Sequence, residues 1–207
     1  MNGVIFDLYD VLVNSTPMHY EAWKIAFSET VNIEVNERTI YSPEGMRGIE
    51  LVNNILMRTG LKEFDKSIVT QITKRKDEYF RKVFSFKPFE RVNELVTNLR
   101  CHKALVSGSS KQDVESTLDQ AIGFGNEQFD VMITADEVKN VKPDPSSLLS
   151  ALEKLKLKTT GSIVVKNVPL GVEDANRAGI PCIVVLNNTP LHAGRTELAF
   201  NFLEELV

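Results

Sequence analysis

Five short apolar runs constrain this chain more than anything else in it. Val4–Leu8, Ala104–Ser107, Val131–Thr134, Ile163–Lys166 and Cys182–Leu186 have the content of buried strands, and each of the last four follows a helical pattern. Strands alternating with helices predict βαβ units, hence an α/β, Rossmann-like parallel sheet with helices on both faces. The expected core helices are Glu90–Arg100, Lys111–Ala121 behind a Ser109-Ser110 cap, Ser146–Leu155 opened by Pro145, Gly171–Ala178 stopped by Gly179, and a closing helix Ala199–Leu206. The interval between the first two strands breaks the alternation. His19–Thr30, Gly48–Thr59 and Lys66–Val83 carry apolar residues at three- and four-residue spacing, with almost no strand signal between them. Such a block reads as an inserted all-α domain over 16–84, leaving 1–15 and 85–207 as the core. Pro17, Pro43 and Pro88 fall near its boundaries.

With 207 residues there is room for one core and a smaller insert. A net charge of −4 provides no basic excess to neutralise phosphates, which argues against a nucleic-acid partner. No apolar stretch approaches the ~18 residues of a membrane span. Cys101 and Cys182 are the only cysteines, and a reduced, cytoplasmic setting is the expectation, as a monomer or weak dimer.

Polar residues stand at the ends of the strands, where an open parallel sheet gathers its chemistry in one crevice. These are Asp7, Ser107 followed by Gly108-Ser109-Ser110-Lys111, Lys142 before Pro143-Asp144-Pro145, and Lys166-Asn167. A carboxylate nucleophile, a hydroxyl beside backbone N–H donors, and a lysine form a set suited to phosphoryl transfer. The plainer alternatives are a capping aspartate, a turn serine and a solvated lysine.

In order and spacing these motifs resemble the haloacid dehalogenase superfamily, in its β-phosphoglucomutase-like and phosphoglycolate phosphatase-like branch with a helical cap. The family's first motif, F-D-L-D-G-V-L, stands here as Phe6-Asp7-Leu8-Tyr9-Asp10-Val11-Leu12. The resemblance covers essentially the whole chain and implies a phosphatase or phosphomutase that forms an aspartyl-phosphate on Asp7 from a small phosphorylated metabolite. It implies catalytic roles at Asp7, Tyr9, Ser107 and Lys142, and substrate contacts at Gly108, Ser109, Lys111, His19, Trp23, Arg47 and Lys76. Trp23 is equally explained by core packing, and Lys76, near Lys74, Arg75 and Arg81, by a solvated helix face.

Three departures fall in the same crevice. Tyr9 replaces the aspartate that serves the family as acid and base, a function worth on the order of 10²–10⁴ in rate. Lys166-Asn167 replaces the Glu-Asp pair that, with the nucleophile and the carbonyl two residues on, holds Mg²⁺. Asp7 and Asn167 remain as metal-ligand candidates, with reduced affinity expected for a hard cation. Asp10 stands at the usual glycine. Asp7, Lys142 and Lys166 sum to +1, or to zero if Asp10 points inward, so Lys166 is expected to place its ammonium where the ion would sit. Asp174, on the following helix, is expected to face solvent. Loss of base and metal ligand together suggests, as a second reading, an impaired relative that binds a phosphorylated ligand or a partner. A third is a metal-free 2-haloacid dehalogenase, which resembles the chain at Tyr9 and Asn167 but departs from it at Leu148 and Leu170, where a tyrosine and an aspartate are expected.

Overall fold

The computed structural model describes residues 1–43, 45–59, 64–83, 87–121, 126–140 and 142–185. The chain begins with β1 (Gly3–Phe6) and the two-residue β2 (Val13–Asn14), then runs through α1 (Thr16–Val31), α2 (Glu37–Tyr41), α3 (Gly48–Arg58) and α4 (Lys66–Val83). It returns by β3 (Lys87–Pro88) to α5 (Val92–Asn98), β4 (His102–Val106), α6 (Lys111–Gln120), β5 (Val131–Ile133), α7 (Ser146–Leu155), β6 (Ser162–Lys166), α8 (Pro169–Ala178) and β7 (Cys182–Val184).

Five strands form one parallel sheet in the order β5-β4-β1-β6-β7. β1 lies at its centre, and its alternation divides the core. Val4 and Phe6 pack on one face with Val96 of α5 and Val114 and Leu118 of α6. Ile5 packs on the other with Leu148 and Leu152 of α7 and Ala175 of α8. The expected α/β sheet with helices on both faces is therefore present.

Helices α1–α4 bury a cluster of their own, which includes Trp23, Phe27, Ile40, Leu51, Ile55 and Ile72. The two chain crossings that flank them are tied by an antiparallel ribbon, Val13 opposite Pro88 and Asn14 opposite Lys87. Proline fits there because a two-strand ribbon has free edges. The helical block also lies against the sheet domain. Arg47 Nη2 donates to the carbonyls of Val138 (3.3 Å) and Lys139 (2.9 Å), and Arg81 Nε meets Asp113 Oδ1 at 2.8 Å. Gly45, at φ 99°, approaches so closely that a Cβ would lie 3.4 Å from Val168 Cγ2 and Leu170 Cβ.

Several boundaries move. β1 stops at Phe6, so Asp7 begins the loop, and its Oδ1 already accepts from the Leu8 amide at 3.1 Å. α8 starts at Pro169, two residues before the expected Gly171, because proline fits the first helical turn. β7 ends at Val184; the expected strand end at Leu186 and the closing helix Ala199–Leu206 lie outside the described residues.

Candidate active site

Register brings the first two charges together. Phe6 of β1 pairs with Val165 of β6, so Asp7 and Lys166 emerge side by side at the strand ends. Lys166 Nζ lies 3.3 Å from Asp7 Oδ2, and Lys142 Nζ, from the loop after β5, lies 2.5 Å from the same oxygen. Burial alone would raise the Asp7 pKa, but the charges of Lys142 and Lys166, with the Lys142 and Leu8 hydrogen bonds, outweigh it and hold the carboxyl below the usual range. Asp7 is thus an ionised carboxylate, 5 % exposed, at the floor of a cavity.

Lys166 itself is fully buried and lies beneath that floor. Its stem crosses Gly171 of α8, where a Cβ would stand 3.0 Å from Lys166 Cδ. Beyond it lies Asp174, which corrects the expectation of a solvent-facing residue: Asp174 is 0 % exposed and its Oδ2 is 3.8 Å from Lys166 Nζ. The physical reason is helical phase. Gly171, Asp174, Ala175 and Ala178 share the spacing of one helix face, and that face packs against the sheet. Neither carboxylate oxygen of Asp174 has a side-chain hydrogen-bond partner among the described residues. Burial raises its pKa against the opposing charges of Lys166 and Lys142. Burial also works against the Lys166 ammonium, but Asp174 and Asp7 prevail and its pKa is raised. With Asp174 ionised, Asp7, Asp174, Lys142 and Lys166 sum to zero, and the second carboxylate is Asp174 rather than Asp10.

Asp10 is turned away from the crevice. At φ 57° it accepts from Ser15 N (3.0 Å), Ser15 Oγ (3.2 Å) and Thr16 N (2.9 Å), closing the start of α1. Tyr9 lines the cavity, but its hydroxyl pairs with Thr117 Oγ1 of α6 at 3.0 Å. Burial pushes its pKa up to about 12, so it is neutral at physiological pH and unsuited to act as a base.

The cavity, about 310 Å³, lies between the strand ends and the helical block. It brings together Asp7, Tyr9, Ser107, Gly108, Ser109, Lys142 and Asn167 from the core with His19, Trp23, Arg47 and Lys76 from the insert. Above Gly108 a Cβ would meet no atom within 4 Å, so space opens directly over that loop. Lys76 is no solvated lysine: its side chain is 12 % exposed, with Nζ 4.5 Å from the Phe80 ring centroid and 5.4 Å from that of Trp23. His19 stacks on Phe80 at 4.2 Å and meets Tyr9 edge-on. Lys111 is the expected site residue that the fold does not bring in. Its ammonium reaches toward Glu115 on the outer surface of α6, while its amide donates to Asp136.

The family profile described as haloacid dehalogenase-like hydrolase matches residues 4–185. The chain belongs to this family. A phosphorylated carbohydrates phosphatase from Thermotoga maritima is 28 % identical over 185 residues, covering 87 % of this chain and 82 % of that protein. A chloroplastic 5-amino-6-(5-phospho-D-ribitylamino)uracil phosphatase from Arabidopsis thaliana is 26 % identical, covering 99 % of this chain, which spans only 55 % of that relative. A solved structure from Bacteroides vulgatus, assigned as a β-phosphoglucomutase, superposes with a TM-score of 0.80 at 27 % identity, over 98 % of this chain and 81 % of its own.

The Mg²⁺ that the family resemblance implies does not fit these residues. A hard divalent ion needs several anionic or carbonyl oxygens in close octahedral array. Here the Asp7 oxygen that faces β6 is already taken by two ammonium groups, and the neighbouring candidate Asn167 is neutral. Among the described residues no three His, Cys, Asp or Glu side chains converge to hold a metal. Leu148, where the dehalogenase reading expected a tyrosine, is buried in the core beneath the sheet.

Proposed function

We propose that this chain is a phosphatase-like hydrolase of its family, acting on a small phosphorylated metabolite of the sugar-phosphate class, with Asp7 as nucleophile. The observation that carries the reading is Asp7 itself, ionised at the floor of the cavity with Lys142 at 2.5 Å. An Asp7 oxygen attacks phosphorus, the ester P–O bond breaks, and the sugar oxygen leaves with a proton from solvent. Water then cleaves the aspartyl-phosphate to return the carboxylate and orthophosphate. Lys142 neutralises charge developing beside Asp7, while Ser107 and the amides of Gly108 and Ser109 border the space for the phosphoryl oxygens. Residues 16–84 act as the cap, with His19, Trp23, Arg47 and Lys76 facing the rest of the substrate. The Thermotoga and Arabidopsis relatives, both phosphatases, support the reaction class.

Turnover is expected to be slow, because the Tyr9 phenol is bound to Thr117 and cannot do the work of a carboxylate acid and base. One observation favours a second reading, ligand binding without turnover: Asp7 Oδ2 carries two ammonium groups and Oδ1 the Leu8 amide, which damps the nucleophile. Orthophosphate release from a panel of sugar phosphates separates the two. Release that disappears in Asp7→Asn supports the hydrolase; saturable sugar-phosphate binding with no release supports the binder.

A further inference from the structure

A fully buried ammonium needs a buried counter-charge, and Lys166 has two. Asp7 Oδ2 lies 3.3 Å from its Nζ on the cavity side, and Asp174 Oδ2 lies 3.8 Å away on the side of α8. Asp7 is accounted for by the site. Asp174 is not: it caps no helix, has no side-chain hydrogen-bond partner among the described residues, and interrupts a face otherwise made of Gly171, Ala175 and Ala178. A carboxylate in such a place is costly unless a charge requires it, and the charge beside it is that of Lys166.

From this arrangement, and resting on the phosphoryl-site reading above, we infer that the Lys166–Asp174 pair replaces the divalent cation, so that the phosphoryl group is bound at Asp7 without metal, and that Asp174 is the positioning residue that keeps Lys166 there. The family pattern places an acid at 166 and recruits a cation to it. This chain builds the cation into the strand and moves an acid one layer deeper, onto α8. Gly171 makes the exchange sterically possible, since any larger residue would meet the lysine stem. The result is a fixed positive charge that cannot dissociate.

The groups facing Lys166 are Asp7 from the β1 end, Asp174 from α8, Lys142 from the loop after β5, and Cys182 from β7, whose thiol burial pushes up to about 12 and so keeps neutral. Of these, the carboxylates are Asp7 at 3.3 Å on the cavity side and Asp174 at 3.8 Å on the α8 side, and together they hold the ammonium in place. Removing Asp174 should therefore leave Lys166 with a carboxylate only on its cavity side and let its ammonium shift from the phosphoryl site.

The test is calorimetric binding of orthophosphate to the whole chain, first in EDTA and then in excess Mg²⁺. The expected result is a Kd that agrees within about twofold in the two buffers. Binding that requires Mg²⁺ overturns this inference and leaves the phosphoryl-site reading standing; no binding in either buffer overturns both. The same measurement is then repeated on variants of Asp174. Affinity should fall at least about tenfold in Asp174→Asn relative to the wild type, with Asp174→Glu recovering part of the loss. Unchanged affinity in a folded Asp174→Asn, or no recovery in Asp174→Glu, would remove the positioning role, because a merely structural carboxylate would not be rescued in binding by its longer homologue. Folding of each variant is checked by circular dichroism. Should Asp174→Asn not fold, the triple variant Lys166→Glu, Asn167→Asp, Asp174→Ala decides: it should acquire a Mg²⁺ stimulation of at least about tenfold, and indifference to Mg²⁺ would overturn the inference.

Discussion

A carboxylate held against two ammonium groups out of water stays ionised well into acid, and this gives Asp7 a signature in stability. Its folded pKa is depressed, so its contribution is present above the unfolded value of about 3.9 and is lost as pH falls through the folded value. Asp174 has the opposite sign: its raised pKa makes its share present in acid and lost as pH rises. Lys166, also raised, contributes fully below about pH 10.4 and loses its share as pH rises through the folded value. Urea unfolding should therefore show stability falling more steeply below about pH 4 in the wild type than in Asp7→Asn, and equal slopes would contradict the ion-pair account. Tyr9 gives a second residue-scale expectation. In an ultraviolet titration of the folded protein one phenolate should form only near pH 12, and that step should be missing from Tyr9→Phe.

At the scale of the element, α1 depends on a residue outside it. Ser15, its N-cap, makes no side-chain capping bond, and the carboxylate of Asp10 takes the amides of Ser15 and Thr16 instead. Asp10 does this from the left-handed region at φ 57°, a strain of roughly 1–2 kcal/mol for a residue with a Cβ. Charge-assisted bonds worth about 1.5–3 kcal/mol each offset it. Two substitutions separate the terms. Asp10→Ala loses the bonds and keeps the strain, whereas Asp10→Gly loses the bonds and relieves it. Chemical denaturation should rank the wild type first, Asp10→Gly second, and Asp10→Ala last by a further ~1 kcal/mol. A glycine variant as stable as the wild type would mean that the three hydrogen bonds contribute nothing net. The carboxylate at the family's glycine position is, on this account, a cap for the first helix of the insert, unconnected with the chemistry of the crevice.

Across the whole molecule, the helical block is pinned to the sheet domain by Arg47, which also lines the cavity, and by Arg81. Arg47 reaches the carbonyls of Val138 and Lys139, and Arg81 reaches Asp113. The Arg81 pair is about half exposed on the arginine side, so it adds at most ~1 kcal/mol. Arg47 is the stronger link, because it satisfies two carbonyls at once. Arg47→Ala should raise amide hydrogen exchange in 45–48 and 135–140 several-fold while leaving β1 and β4 unchanged. Uniform acceleration over the whole chain would instead indicate global destabilisation. Among the described residues no helix is long and apolar enough to cross a membrane.

The alternation of apolar runs with helical periods was sufficient to fix a parallel sheet, its helical insert and the convergence of Asp7, Ser107, Lys142 and Asn167, because strand ends in such a sheet share one edge. Period two also placed Lys166 on the same face as Val164. The partner of each anomalous residue was decided only in three dimensions. Tyr9 finds Thr117, 108 positions away, through the packing of α6 against β1. Asp10 finds the start of α1 through a left-handed turn that local propensity disfavours. Asp174 shares its helical phase with Gly171, Ala175 and Ala178, a pattern that the solvent-facing expectation overlooked; that it would face a lysine depends on which strand α8 covers. Sequence periodicity sets which side of an element a residue takes, whereas the charge it meets there is set by the neighbour that tertiary packing supplies.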